Sequence, residues 1–438
     1  MRSGRILAFL LLTSGAVGVL VGAGEIYMRL LYLGMLLWGS AWLWTQLSLR
    51  GLNVERRARS LRASVGDIFE EHFELSNNSR LGKLWVELFN ETNLPGAAGS
   101  RLLTMVGGRQ KRTYIARTWL MRRGGFRLGP TRLTSGDPFG LFRVSKVIPS
   151  QNVLVVLPMI YEITSFISPP GLLPGGQVIR RKALDVTPHA AGVREYVPGD
   201  PMKRIHWPST ARRGRLIVKE FEQDPQAEVW LFLDAQASVH AQKPYEPSLT
   251  SGEGWIFGKR PRFELPPSTL EYAVSISASL AHYFLGQRRA VGLVTAGRTF
   301  TVIPAERSVR QEGKILETLA FLEAESDLSI AALLAAQAGQ LPQGSSAILV
   351  TPTVFPALLA VVDDLQRRHL RPVVVLLMAE SFGGYNGSEN LYLSLLERNV
   401  PTCRIYCGDN LAQELSDISA PLLTQETVWQ RPPLSHLT

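Results

Sequence analysis

The sequence predicts a three-part chain: a pair of apolar membrane helices, an all-β sandwich, and a C-terminal α/β domain of Rossmann-like type. Three observations predict it. Two long uncharged runs, residues 6–24 and 30–49, open the chain. Short alternating stretches rich in aromatic and β-branched residues, separated by turn residues, fill residues 52–160. From residue 227 continuous apolar strands alternate with helical patterns, as in a parallel sheet covered on both faces. With 438 residues, 45% hydrophobic and 19% charged, the chain has the length and composition to bury two or three cores.

Residues 1–50 are the membrane segment. Each apolar run approaches the roughly 20 residues that cross a bilayer core as a helix. Only Glu25-Ile-Tyr-Met-Arg29 lies between them, enough for a tight turn. A cleaved leader accounts for the first run but not the second. Arg2 and Arg5 precede the first run, and Arg50, Arg56, Arg57, Arg59 and Arg62 follow the second. The positive-inside rule then puts both termini and all soluble domains on the cytoplasmic side of the inner (plasma) membrane. Trp38, Trp42 and Trp44 suit an interfacial belt.

The charge distribution agrees with a membrane partner. Residues 51–150 hold 17 Lys and Arg against 8 Asp and Glu, whereas residues 227–438 hold 16 against 21. The basic excess lies next to the membrane segment. Attraction to anionic headgroups of the lipid bilayer accounts for it better than nucleic acid does, because no recognition helix or RNA-binding signature accompanies it. Cys403 and Cys407 build no disulfide framework and read as small hydrophobes. The seven histidines show no zinc spacing.

Residues 51–160 carry strands at 68–75, 84–89, 113–120 and 153–157, separated by Ser-Asn-Asn-Ser, Asn-Leu-Pro-Gly and Arg-Arg-Gly-Gly turns. A spacing near ten residues predicts an immunoglobulin-like sandwich. Its closing turn is Asp137-Pro-Phe-Gly-Leu-Phe142, where Phe139, Leu141 and Phe142 are expected to plug the underside of the domain.

Residues 161–226 form a junction dominated by residues 192–222. Pro198-Gly199 is a turn dipeptide, Asp200 fits an N-cap, and Pro201 fits the first helical position. A helix is expected through Lys203, Arg204, His206 and Trp207, broken or restarted at Pro208 and recapped by Ser209. Gly214 then stops a second short helix after Arg212 and Arg213, and residues 215–221 alternate as a strand. Two readings of the polar residues stand. In one, Asp200 caps a helix, Arg194 and Arg212 pair with carboxylates, and Trp207 fills a domain interface. In the other, Arg194, Lys203, Arg204, His206, Arg212 and Arg213 present a basic surface to a partner or an anion, with Asp200 and Trp207 among the candidate contacts.

Arg194-Glu-Tyr-Val-Pro-Gly-Asp200, Ile205-His-Trp207, Ala211-Arg-Arg-Gly214 and Asp137-Pro-Phe-Gly-Leu-Phe142 together resemble the hallmark of a bacterial family, the domain of unknown function numbered 58. Members of that family are often encoded beside MoxR-type AAA+ ATPases, so the resemblance implies such a partner. Pro208 departs from it, since the family more usually has a lysine there.

Residues 227–438 supply strands at 228–233, 290–296, 347–351, 372–378 and 402–406, with helices expected over 270–286 and 309–324. Ligands of such sheets gather at the carboxyl ends of strands. The first strand ends in Asp234-Ala-Gln-Ala-Ser238, which resembles the Asp-x-Ser-x-Ser loop of von Willebrand factor A domains, where oxygen ligands hold Mg²⁺. Gln236 replaces the middle serine, and the later strand end reads Thr351-Pro-Thr353 without an aspartate. A degenerate site is the expectation, with Asp234, Gln236, Ser238 and Thr351 its donors if Mg²⁺ binds and no cofactor otherwise. Residues 239–268 form a long insertion.

Neither an activated nucleophile nor a phosphate-binding loop is evident. The sequence therefore reads as a non-enzymatic, membrane-anchored interaction adaptor, with the ATPase partner implied by the resemblance. A hydrolase site near Asp200, His206 and Asp234 is one alternative, and requires those residues to converge. A membrane-proximal anion- or lipid-binding protein is another, resting on the basic β domain.

Overall fold

A computed structural model describes residues 2–22, 24–167, 190–197, 202, 205–221, 228–245 and 264–417. It divides into two compact units. One comprises Met1–Ile160 with Lys243–Pro267 and Lys314–Leu322; the other comprises Tyr161–Gln242, Ser268–Gly313 and Glu323–Thr438.

The first unit opens with α1 (Arg2–Leu20) and α2 (Glu25–Ser48). Among the described residues α2 alone is long and apolar enough to cross a bilayer; the apolar part of α1, Arg5–Leu20, is shorter. Gly22, at φ +70°, turns the chain soon after Leu20. The two helices pack antiparallel through small residues. A Cβ on Gly15 would lie 2.8 Å from the Leu31 backbone nitrogen, and one on Gly34 would lie 2.9 Å from the Leu12 side chain. Glycines let helix backbones approach this closely, which is how helices associate where lipid offers no hydrophobic drive.

Ten strands follow: β1 (Leu52–Ala58), β2 (Arg62–Ser64), β3 (Ile68–Asn77), β4 (Lys83–Asn90), β5 (Arg101–Val106), β6 (Lys111–Trp119), β7 (Gly124–Arg127), β8 (Thr131–Gly136), β9 (Arg143–Ile148) and β10 (Val153–Leu157). Strands β1-β3-β6 form one antiparallel sheet and β5-β4-β8-β9 another. A third sheet, β2-β10-β7, is mixed. Alternation along β3 buries Phe69, Phe73 and Leu75. Leu52, Val54, Phe73, Leu75 and Tyr114 of the three-stranded sheet share a core with Val86, Leu88, Val106 and Leu133 of the four-stranded one. Buried apolar faces of two sheets thus cover each other.

A charged group is sunk into this unit. Arg56 Nε donates to Glu71 Oε1 at 2.7 Å, and Arg56 Nη1 donates to Asn90 Oδ1 at 3.0 Å and to the Leu128 and Gly129 carbonyls at 3.1 Å. Burial raises the Glu71 pKa, and the Arg56 guanidinium works against that rise.

The second unit begins with β11 (Ala190–Glu195), α3 (Trp207–Arg213) and β12 (Ile217–Phe221), in which β11 and β12 pair antiparallel. Then come β13 (Val229–Leu233), α4 (Thr269–Gly286), β14 (Val291–Ala296), β15 (Phe300–Glu306), α5 (Val309–Ala320, whose residues from Lys314 on are counted with the first unit), α6 (Ile330–Gln337), β16 (Ser346–Thr351), α7 (Ala357–Arg367), β17 (Arg371–Leu377), α8 (Ser388–Glu397), β18 (Thr402–Ile405) and α9 (Leu411–Asp417). The six-stranded sheet has the order β15-β14-β13-β16-β17-β18. It is parallel except for β15, which pairs antiparallel with β14 and is a strand the sequence reading lacks. Residues 300–306 include Pro304 and are largely half-buried, so they lack the continuous apolar run of the central strands. Helices α6, α7 and α8 cover one core with residues of β13, β14, β16 and β17. Helix α4 packs across β13, β14 and β16 and is buried almost all round, from Thr269 to Ala281. Residues 161–166 lie over it: Tyr161 N donates to Ser279 Oγ at 2.8 Å and Phe166 N to Tyr283 Oη at 3.1 Å.

This strand order reverses direction at β13. The chain adds β14 on one side of it and then crosses to place β16 on the other. The carboxyl ends of β13 and β16 therefore border the crevice where such sheets take ligands.

Candidate functional site

Two places in the second unit gather the residues the sequence singled out. The first is the β11–α3–β12 segment. His206, not Ser209, is the N-cap of α3: its Nδ1 accepts from the Ser209 N–H at 3.2 Å and meets Ser209 Oγ at 2.7 Å. Pro208 does not break a helix. It sits in the first turn, where a missing N–H removes no hydrogen bond, and the helix expected through residues 203–207 begins only at Trp207. Gly214 ends α3 as anticipated, at φ +66°, with its N–H returned to the Thr210 carbonyl at 3.0 Å.

Ile205, Ile217 and Val218 are buried beneath this segment. Its outer side is apolar as well. Val197 is 56% exposed, Met202 69%, Trp207 64% and Leu216 41%. Trp207 therefore does not fill an interface within the described structure. Its place in the first turn of a helix with no buried residue leaves the indole outside. Arg212 and Arg213 are exposed at the end of α3, with no ion-pair partner among the described residues, while Arg215 pairs with Glu195. Arg194 lies in β11 opposite Val218. Asp200, Lys203 and Arg204 lie outside the described residues.

The second place is the crevice at the sheet switch. Asp234 follows β13 and is 1% exposed. Its Oδ2 accepts from the Thr351 hydroxyl at 2.6 Å across the strand ends, and its Oδ1 accepts from the Gln236 N–H at 3.1 Å. Thr351 Oγ1 in turn accepts from the Thr353 N–H at 3.0 Å. Burial pushes the Asp234 pKa up to about 6, against the opposing pull of those hydrogen bonds. His240 braces the same loop, with Nε2 3.0 Å from the Asp234 carbonyl and Nδ1 2.9 Å from Thr269 Oγ1.

The structure thus joins Asp234 and Thr351, as the loop pattern implied, but leaves Ser238 exposed in a short 3₁₀ turn, Ala237–Val239. Gln236 engages through its backbone, by the bond to Asp234 and a bridge to Ser326. No group of three or more His, Cys, Asp or Glu poised for a metal occurs among the described residues. A cation here would meet one carboxylate with both oxygens already engaged, a poor fit to a hard divalent ion. His206 and Asp234 share no hydrogen bond among the described residues; each is committed to its own local turn. The sequence reading counted Trp207 and Asp200 among candidate partner contacts but missed the exposed Val197, Met202 and Leu216, which carry no pattern of their own, and the His240–Thr269 brace, whose partners lie 29 residues apart.

The first place and the Asp234 loop fall inside one stretch with known relatives, whereas Thr269 and Thr351 lie beyond it. Residues 192–243 match a family model described as "Protein of unknown function DUF58". That stretch of the chain is similar to the DUF58 family. A relative in Bacillus subtilis (strain 168), the uncharacterized protein YeaD, is 24% identical over 238 residues, covering 53% of this chain and 51% of YeaD. The chain therefore spans about half the length of that curated relative. Among solved structures, the complex of zinc 2-glycoprotein with prolactin inducible protein from human seminal plasma aligns at a TM-score of 0.18 and 9% identity, over 24% of this chain and 92% of that one. A CARDB domain from Pyrococcus furiosus, solved with di-metal ions, aligns at 0.15 and 13%, over 24% and 91%. Similarity at that level carries no argument about this chain.

Proposed function

We propose that this protein is a membrane-anchored interaction adaptor that works with a MoxR-type AAA+ ATPase in the maturation or assembly of protein complexes. One observation carries the reading: the matched stretch exposes Val197, Met202, Trp207 and Leu216 together with Arg212 and Arg213, which have no ion-pair partner among the described residues. An exposed aromatic flanked by arginines is the composition of an interface anchor. The partner comes from the family resemblance. The finer architecture belongs to the same proposal. The α/β unit, with its antiparallel edge strand and Asp234 at the switch, is read as a von Willebrand A-like domain whose metal loop has decayed. The facing sheets of the first unit are read as immunoglobulin-like, and α1 with α2 as a transmembrane hairpin with both soluble units cytoplasmic.

Affinity isolation of the full chain in mild detergent tests the adaptor. Wild type is expected to recover the ATPase, and Trp207→Ala with Arg212→Ala to reduce recovery at least tenfold, since each truncated anchor costs about 1–3 kcal/mol of binding. Undiminished recovery from the double variant would move the interface elsewhere. Absence of any ATPase from the wild-type eluate would remove the proposed partner.

A further inference from the structure

We propose that the Asp137–Phe142 turn is a membrane-interface clamp. It grips the α1–α2 pair with Leu141 and Phe142 and holds Phe139 among the acyl chains near one face of the bilayer. This inference rests on the reading of α1 and α2 as membrane-embedded.

The turn is built to be rigid. Asp137 is 2% exposed. Its Oδ1 accepts from the Phe139 and Leu141 N–H groups at 2.8 and 3.2 Å, and its Oδ2 accepts from the Phe142 N–H at 2.5 Å. Gly140 supplies the left-handed residue at φ +73°. A closed carboxylate cage of this kind fixes where the three apolar side chains go.

They do not plug the underside of the sheets. Leu141 is buried in a cluster with Ala8 of α1 and Ala41 of α2, with Leu37 and Phe142 packed against it. The Phe142 ring meets the Trp38 ring edge-on at 5.2 Å. Arg5 Nε donates to the Leu141 carbonyl at 2.7 Å. Only Phe139, at 55%, and its neighbour Pro138 remain exposed.

Length then places the turn. It touches α2 at Trp38 and Ala41, and from Trp38 to the helix end at Ser48 the rise is about 15 Å at 1.5 Å per residue. The part of α2 before Trp38, residues 26–37, rises only about 18 Å, short of the roughly 30 Å hydrocarbon core. A span measured from Ile26 reaches the far side of that core near Thr45, beyond the residues the turn covers. The turn, touching Trp38 and Ala41, consequently lies about 6–10 Å inside that boundary, on the acyl-chain side of the headgroups. Trp38, Trp42 and Trp44 are 38%, 53% and 41% exposed and climb from the turn toward that boundary over about 9 Å, where an aromatic belt is expected. The occupant of the Pro138–Phe139 surface is therefore lipid, continuous with the lipid around the helices.

The test uses the full chain in vesicles of phosphatidylcholine with phosphatidylglycerol, carrying a photo-crosslinking phenylalanine analogue at one position at a time. Position 139 and position 36 on α2 (Leu36, 71% exposed) are expected to yield phospholipid adducts. Position 89 is a control, since Phe89 is 50% exposed on β4, opposite Arg132 and away from the turn. Position 139 should exceed it at least tenfold. Adducts at 36 but not at 139 overturn the clamp while leaving the anchor intact. Adducts at neither overturn both. Leu141→Ala in the 139 probe background is expected to cut the yield severalfold; an unchanged yield shows that Leu141 does not hold Phe139 there, and overturns the gripping half of the proposal.

Discussion

At the residue scale, Asp234 carries the clearest consequence. Its pKa stands at about 6 in the folded chain against an ordinary value of 3.8. A carboxyl whose folded pKa is raised binds its proton better when folded. Its favourable contribution is therefore complete below pH about 4 and is lost as pH climbs through about 6, a cost of roughly 3 kcal/mol at neutrality. Asp234→Asn removes that titration while retaining an oxygen acceptor for Thr351. The variant is expected to match wild type near pH 4 and to melt several degrees higher at pH 7.5, as read by thermal unfolding of the detergent-solubilised protein. A variant that melts lower at pH 7.5 would mean that the ionised carboxylate is being used, as it would be by a bound cation. The position of Asp234 was legible, because a strand of five apolar residues runs straight into it. Its bond to Thr351 was half legible from the second strand end. The fates of Gln236 and Ser238 were not, since whether a loop side chain faces inward depends on backbone that only the folded sheet dictates.

At the element scale, short α3 shows how local rules compete. Proline disfavours a helix interior but suits a first turn, and the sequence contained both options at Pro208. What decided it was His206, whose ring nitrogen serves as the cap usually made by Ser, Thr, Asp or Asn. Gly214 is the other end of the argument. At φ +66°, alanine there costs about 1 kcal/mol, so Gly214→Ala is expected to speed amide exchange across residues 210–214 by about fivefold. Unchanged exchange would mean the helix end is held by something other than that glycine. The strongly periodic elements, β3, β4, β13, β14, α4 and the apolar helices, were readable from pattern alone. Strand β15 escaped because an edge strand need not be apolar on both faces. The turn after β8 was recognised as a turn, but what it packs against was hidden, since its partners lie more than 90 residues earlier in the chain.

At the scale of the whole molecule, orientation is the property to measure. The basic flanks of the apolar segment predict that a fluorescent reporter fused after Thr438 matures in the cytoplasm and that a periplasmic phosphatase fused there stays inactive. An active phosphatase would invert the topology and withdraw any cytoplasmic ATPase from consideration. The changes of hydrophobic period along the chain were visible in composition, while the structure divides into two compact units with α1 and α2 grouped with the sheets. The outward display of Trp207 was not visible, because a lone tryptophan reads equally well as core or as contact.

The first unit also has a mechanical character. Lys83 Nζ holds the Leu47 carbonyl at the end of α2 at 2.6 Å, and Arg5 holds the Leu141 carbonyl from α1. A domain hung from a flexible leader swivels about one point. One bolted at two points along a rod has no such axis. The facing sheets should tumble with the helices, so a spin label on β4 is expected to report the slow rotation of a membrane body rather than the nanosecond motion of a tethered domain. On the proposed reading of α1 and α2 as a membrane hairpin, any pull exerted on those sheets would reach the bilayer as a tilt of the helix pair.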